Sequence, residues 1–219
     1  MNKFQALIFD MDGVIVDTEA LHAEAKRTAF ESYQIEVPEN LYAEFRGRSD
    51  EDMVEHVVKE YGAVQLSAAE VLKYKHDIFR TLHQKIVPVE GVLEFIRLAR
   101  SHFDKLAVTT SATKDNQEFT FEKFGLQPFF DIVVTAKEIR QTKPHPEPYL
   151  ITARQLGLNP ASCMVIEDSK NGILSAKAAG CVVVAITTSF SKSELKEANA
   201  EYDYVVDSYP ELVSLLKIR

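Results

Sequence analysis

The chain has 219 residues, 46% apolar and 26% charged, a balance that excludes global disorder, collagen-like repeats and low-complexity sequence. Lysine and arginine number 25 against 33 aspartate and glutamate, a net charge of −8. Such an acidic chain lacks the basic footprint of a nucleic-acid binder, so any anionic ligand must be met by a few placed cations.

The first apolar run, residues 5–9, ends at Asp10. It is short and β-rich, which predicts a buried strand. Residues 18–33, 50–61 and 67–86 then read as helices, with Thr18 as a cap for the first and Ser67 with Glu70 as a capping box for the last. No convincing strand signal falls between residues 16 and 87. From Pro88 onward the pattern changes. Helical periodicity over residues 91–100, 116–124, 147–156 and 169–179 alternates with apolar runs at 105–109, 131–134, 162–166, 181–186 and 204–206. Continuous β-branched runs suit strands buried on both faces, and strand–helix alternation predicts a doubly wound parallel α/β sheet. The domain expectation is a Rossmann-like core of residues 1–15 and 88–219 with a helical cap, residues 16–87, inserted after strand 1. Such an insert would lie over the carboxyl ends of the strands, where open α/β sheets bind ligands.

The two cysteines, Cys163 and Cys181, have no CxxC spacing and no histidine cluster beside them, and read as buried thiols of a reducing compartment. No apolar run approaches the ~18 residues of a membrane span. The first apolar stretch is too short for a secretory signal, so cytoplasm is the expectation.

Four local features carry chemistry. Asp10 and Asp12 stand two apart in FDMDG at the end of a buried strand. Two such carboxylates raise each other's pKa unless a cation joins them, and magnesium prefers hard oxygens of this kind; a solvated acidic turn is the competing reading. Glu167 and Asp168 end a later strand and either N-cap the following helix or join the first pair in one cleft. Lys143 sits in TKPHPEP, where three prolines in five residues stiffen the backbone and position an ammonium. Thr110 and Ser111 follow the strand at 105–109, and hydroxyls and amides leading into a helix favour an anion.

In order and content, these features resemble the haloacid dehalogenase superfamily: DMDG at Asp10–Gly13, Thr110, Lys143 in KPHPEPY, and Glu167-Asp168 in IEDSKNG. The helical segment resembles the cap of the subgroup that contains β-phosphoglucomutase and many small-metabolite phosphatases, as does Asp17-Thr18-Glu19 followed by Leu21-His22. The resemblance spans essentially the whole chain. It implies that Asp10 is a nucleophile forming an aspartyl-phosphate and that Asp12 is the acid and base for leaving group and water. It further implies that magnesium is bound by Asp10, the Asp12 carbonyl and Asp168, with Glu167 direct or through water. Thr110, Ser111 and Lys143 would hold the phosphoryl oxygens.

The second aspartate, Asp12, argues against dehalogenation. Within the subgroup, the position corresponding to the mutase cap arginine is Asp50, which would repel a distal phosphate, and Arg48 stands on the wrong side of Ser49. His22, Lys75 and the Thr113–Lys114–Asn116 region point the other way. The resulting expectation is a magnesium-dependent phosphatase of a small phosphorylated metabolite of the sugar-phosphate kind, acting as a monomer or weak dimer without nucleic-acid or membrane partners. A β-phosphoglucomutase-type mutase is the alternative, and a phospho-acceptor signalling domain a remote one. The cap candidates are His22, Arg48, Asp50 and Lys75, with Lys114 beside them.

Overall fold

The computed structural model describes residues 4–45, 49–62, 65–197 and 200–218. Two compact units emerge, Met1–Asp17 with Val87–Arg219, and Thr18–Ile86.

The first unit is built on a six-stranded parallel sheet: β1 (Ala6–Phe9), β4 (Lys105–Thr109), β5 (Ile132–Val134), β6 (Cys163–Glu167), β7 (Val182–Ile186) and β8 (Tyr204–Val206). Their order is β5-β4-β1-β6-β7-β8. A further small ribbon pairs β2 (Val16–Asp17) with β3 (Val87–Pro88), two strands too short to leave a periodic signal. All four residues of β1 and all five of β6 are buried, as strands covered on both faces must be.

Successive β1 side chains serve opposite helix layers. Ile8 joins a cluster with Tyr149, Val165 and Ile173, where α7 (Glu147–Leu156) and α8 (Lys170–Ala178) pack. Phe9 meets Phe95 edge-on at 5.9 Å, and Phe95 in turn meets Tyr209 at 4.9 Å. These belong to α5 (Val92–His102) and α10 (Tyr209–Leu216). Of the aromatics around α6 (Lys114–Phe124), Phe121 is buried in the core, and both it and Phe9 meet Phe130. The short α9 (Lys192–Glu197) and α10 were not signalled by the sequence.

The order of strands fixes the place of the chemistry. From β1 the chain reaches β4 and then β5 on one side, and returns to β6 on the other. The reversal between β1 and β6 is the switch point at which parallel sheets open a crevice beyond the strand ends. Register brings those ends level: Phe9 lies opposite both Val108 and Ile166. The residues that follow β1, β4 and β6 therefore emerge side by side.

The second unit holds α1 (Glu19–Ser32), α2 (Glu39–Glu44), α3 (Asp50–Tyr61) and α4 (Ala68–Leu82), the last running into a 3-10 turn at His83–Lys85. Phe30, Met53, Val57 and Val71 lie in its apolar cluster. Ser49 caps α3, its hydroxyl accepting from the Asp52 amide at 3.1 Å. The expected caps at Thr18 and Ser67 do not form through their side chains. Glu70 instead bonds to Ser67 through the main chain, its amide donating to the Ser67 carbonyl at 3.1 Å. Among the described residues no helix is long and apolar enough to cross a membrane.

Candidate active site

Asp10 follows β1 with its amide donating to the Ile166 carbonyl at 3.0 Å, so the chain stays in register one residue past the strand. Its side chain is buried, and Oδ1 accepts from Lys143 Nζ at 2.6 Å. The same ammonium donates to Glu167 Oε1 at 2.6 Å and to the Thr109 carbonyl at 3.3 Å. A lysine has three N–H donors, and here each has an acceptor. Three adjacent strands, β1, β4 and β6, thus converge on one ammonium.

Glu167 is 0% exposed. Its Oε1 also accepts from the Tyr149 hydroxyl at 2.7 Å. Oε2 accepts from the amides of Asp168 and Ser169 at 3.1 and 3.2 Å and from Ser169 Oγ at 3.1 Å. Asp168 is buried, with Oδ2 accepting from Ser189 Oγ.

Charge is unbalanced at this point. Asp10, Glu167 and Asp168 share one ammonium. Burial, opposed by Lys143 but aided by Glu167 and Asp12, pushes Asp10 up to about 7. Burial and then the neighbouring Glu167 and Asp10 hold Asp168 well above the carboxylate range. Lys143, despite burial, is raised further above the ordinary lysine value by Asp10 and Glu167. Buried acids that ionise only at a cost fit a divalent cation as the missing charge. Ligand atoms of Asp10, Glu167 and Asp168 all lie within 4.8 Å of one another, and all are hard oxygens of the kind magnesium takes.

Two glycines keep this space open. Gly13 has φ +76°, and a Cβ there would overlap the Asp168 carboxylate. A Cβ at Gly172 would overlap the Glu167 carboxylate, so the first turn of α8 approaches that acid only because residue 172 has no side chain.

The remaining predicted residues fall as follows. Asp12 is half-buried and bridges to Val16 through the main chain, and its charge is felt at Asp10. Thr110 is buried beyond β4; its amide donates to Val134 and its Oγ1 accepts from the Ala112 amide at 2.9 Å. The amides of Thr110 and Ala112 are thus already used by the β4–β5 edge and by the local turn. Ser111 is exposed. Lys114, on the surface at the start of α6, pairs with Glu118 at 3.2 Å. Arg48 lies outside the described residues.

His22, Asp50 and Lys75 come together within the helical unit. Lys75 Nζ lies 2.9 Å from His22 Nδ1 and donates to Asp50 Oδ2, while Lys26 Nζ reaches Asp50 Oδ1 at 3.1 Å. His22 stacks on Phe79 with ring centroids 4.1 Å apart. Lys26, Tyr149 and Ser189 were not singled out by sequence reasoning. Tyr149 stands six residues after Lys143 and reads as an ordinary core aromatic, while nothing in the spacing ties Ser189 to Asp168.

A family model for haloacid dehalogenase-like hydrolases matches residues 7–186, which include the Asp10, Thr110, Lys143 and Asp168 positions. The chain belongs to the haloacid dehalogenase-like hydrolases. Among this hydrolase's relatives, the phosphorylated carbohydrates phosphatase of Thermotoga maritima is 33% identical over 180 residues, covering 80% of this chain and 82% of the relative. The validoxylamine A 7'-phosphate phosphatase of Streptomyces hygroscopicus subsp. limoneus is 30% identical over 200 residues, 90% and 92% of the two chains. The structure of CbbY from Rhodobacter sphaeroides in complex with phosphate superposes with a TM-score of 0.81 at 25% identity, covering 95% of this hydrolase and 96% of that chain.

Proposed function

We propose that this hydrolase is a magnesium-dependent phosphatase that cleaves a small phosphorylated metabolite, a sugar phosphate ester, through an aspartyl-phosphate on Asp10. The observation that carries this reading is the meeting of Asp10, Glu167 and Asp168 oxygens within 4.8 Å around an ammonium 2.6 Å from two of those acids. The sugar-phosphate class is supported by the relatives that carry phosphatase names. Cytoplasm remains the expected compartment of such an enzyme.

In this reading an Asp10 carboxylate oxygen attacks phosphorus and the ester P–O bond breaks. Asp12 gives its proton to the departing oxygen. A water then attacks the phosphorus of the aspartyl-phosphate and passes its proton to Asp12. The acyl-phosphate P–O bond breaks, which frees Asp10 and inorganic phosphate. Asp10, the Asp12 carbonyl and Asp168 would hold magnesium, which when bound supplies positive charge against the developing phosphoryl oxygens. Glu167 already uses both oxygens on five donors, so its part is to orient Lys143 and add negative charge. Lys143 and Thr110 meet the phosphoryl oxygens.

A mutase needs cationic charge free to hold a second phosphate. In the helical unit Lys75 and Lys26 are both engaged by Asp50, which favours the phosphatase. Asp10→Asn should release phosphate from a panel of sugar phosphates on the order of 10⁴-fold more slowly than wild type at saturating magnesium. An unchanged rate would remove Asp10 from the chemistry. Glucose 6-phosphate appearing from β-glucose 1-phosphate faster than free phosphate would replace the phosphatase with the mutase.

A further inference from the structure

Lys143 has no spare donor. Its contacts to Asp10, Glu167 and Thr109 use all three N–H groups. To meet a phosphoryl oxygen it must release one of them. If the contact released is the one to Glu167, a carboxylate oxygen that is 0% exposed loses its cationic donor, and an unsatisfied buried charge is expensive. Tyr149 is placed against that cost. Its hydroxyl donates to the same oxygen, Oε1, at 2.7 Å, and its ring lies under the ammonium, 5.1 Å from centroid to Nζ.

Tyr149 is itself held still. It is 0% exposed in the first turn of α7. One turn along, the Thr152 hydroxyl meets the Thr109 hydroxyl of β4 at 2.6 Å and the Pro148 carbonyl at 3.0 Å. Thr109 is the residue whose carbonyl accepts from Lys143. The helix that carries Tyr149 is thus pinned to the strand that helps to hold the ammonium.

We propose that Tyr149 is a positioning residue for phosphoryl transfer: it keeps Glu167 satisfied while Lys143 turns from that acid to the phosphoryl group, and its ring face guides the ammonium. This rests on the phosphatase reading. Without the hydroxyl, Glu167 holds Lys143 more firmly and the contact made in the transition state weakens.

Tyr149→Phe keeps the ring and removes only the donor. In the magnesium-loaded protein it should lower kcat on a sugar phosphate by about 10- to 100-fold, the worth of a hydrogen bond to a charged group, and leave KM within about twofold. Orthovanadate, which imitates the trigonal transition state, should bind more weakly by a similar factor in calorimetry. In a cycle with Glu167→Gln the two effects should fail to add, since one acts through the other. A purely structural role would lower the melting temperature yet leave vanadate affinity and the kcat-to-KM pattern unchanged. That result, or full additivity in the cycle, overturns the proposal. Wild type that hydrolyses no phosphate ester sinks the phosphatase reading alone. Calorimetry then decides for Tyr149: weaker vanadate binding by the variant supports it, and equal or absent binding by both proteins refutes it.

Discussion

Lys143 and Lys75 are both buried, their side chains 9% and 1% exposed, but they face opposite balances of charge. Around Lys143 stand Asp10 and Glu167, with Asp12 near enough to act on Asp10, and Asp168 near enough to feel both acids and the ammonium. Around Asp50 stand Lys75 and Lys26, with His22 beside them. The carboxylates answer accordingly. Asp10 is pushed up to about 7 by burial and its acidic neighbours, with Lys143 opposing. Asp50 feels burial too, but Lys75 and Lys26 outweigh it and hold the acid below the usual carboxylate range. Burial alone therefore does not decide a group's state; the sign and number of neighbours do. The α/β unit is short of positive charge and suited to a cation, whereas the cluster in the helical unit needs none.

Removing a carboxylate should act in opposite directions in the two places. Asp50→Ala takes from Lys75 its carboxylate partner in a site 1% exposed. A loss of about 3 kcal/mol in urea unfolding is expected, the cost of stranding one member of a buried pair. Asp168→Asn relieves crowding among acids instead. In EDTA the variant should match wild type or gain about 1 kcal/mol, while the stabilisation that magnesium gives wild type should vanish. If Asp168→Asn weakens the metal-free protein as much as Asp50→Ala does, the contrast in charge balance is wrong.

How much of this was readable depends on where each partner lies in sequence. Asp10 and Thr110 each follow a buried strand directly, and Asp168 follows the apolar run of β6 one residue on, after Glu167, so strand end and polar residue are one local signal. Lys143 was readable because three prolines follow it within five residues. The parallel sheet and the helical insert followed from a change of periodicity at Pro88. Tyr149 was not readable as a donor, because its acceptor Glu167 comes 18 residues later on another element. Ser189 reaches Asp168 from the loop after β7, again with no local mark. In the sequence Asp50 stands as an isolated charge that would repel phosphate; its lysine partners come from α1 and α4, and only packing brings them there. The caps foreseen at Thr18 and Ser67 failed for a local reason: a suitable hydroxyl at a helix start permits a side-chain cap without compelling one, as the main-chain bond between Glu70 and Ser67 shows.

A pH-dependent effect tests the helical cluster through its histidine. His22 Nδ1 faces the Lys75 ammonium at 2.9 Å, and a lysine can only donate, so the ring nitrogen accepts and the imidazole is neutral. Burial first, then the Lys75 charge, bring His22 down to about 3. In the unfolded chain a histidine titrates near ~6.5. Between these values the unfolded state binds a proton that the folded state refuses, so stability falls as pH drops from about 6.5 towards 3. At pH 5 the contribution reaches at most about 2 kcal/mol, and above neutrality it is flat. His22→Asn has no group that titrates there. Comparing urea unfolding at pH 5 and pH 7.5, wild type should lose more stability than the variant by roughly that amount. Equal losses would mean that His22 protonates in the folded protein, and that Asp50 rather than Lys75 governs its state.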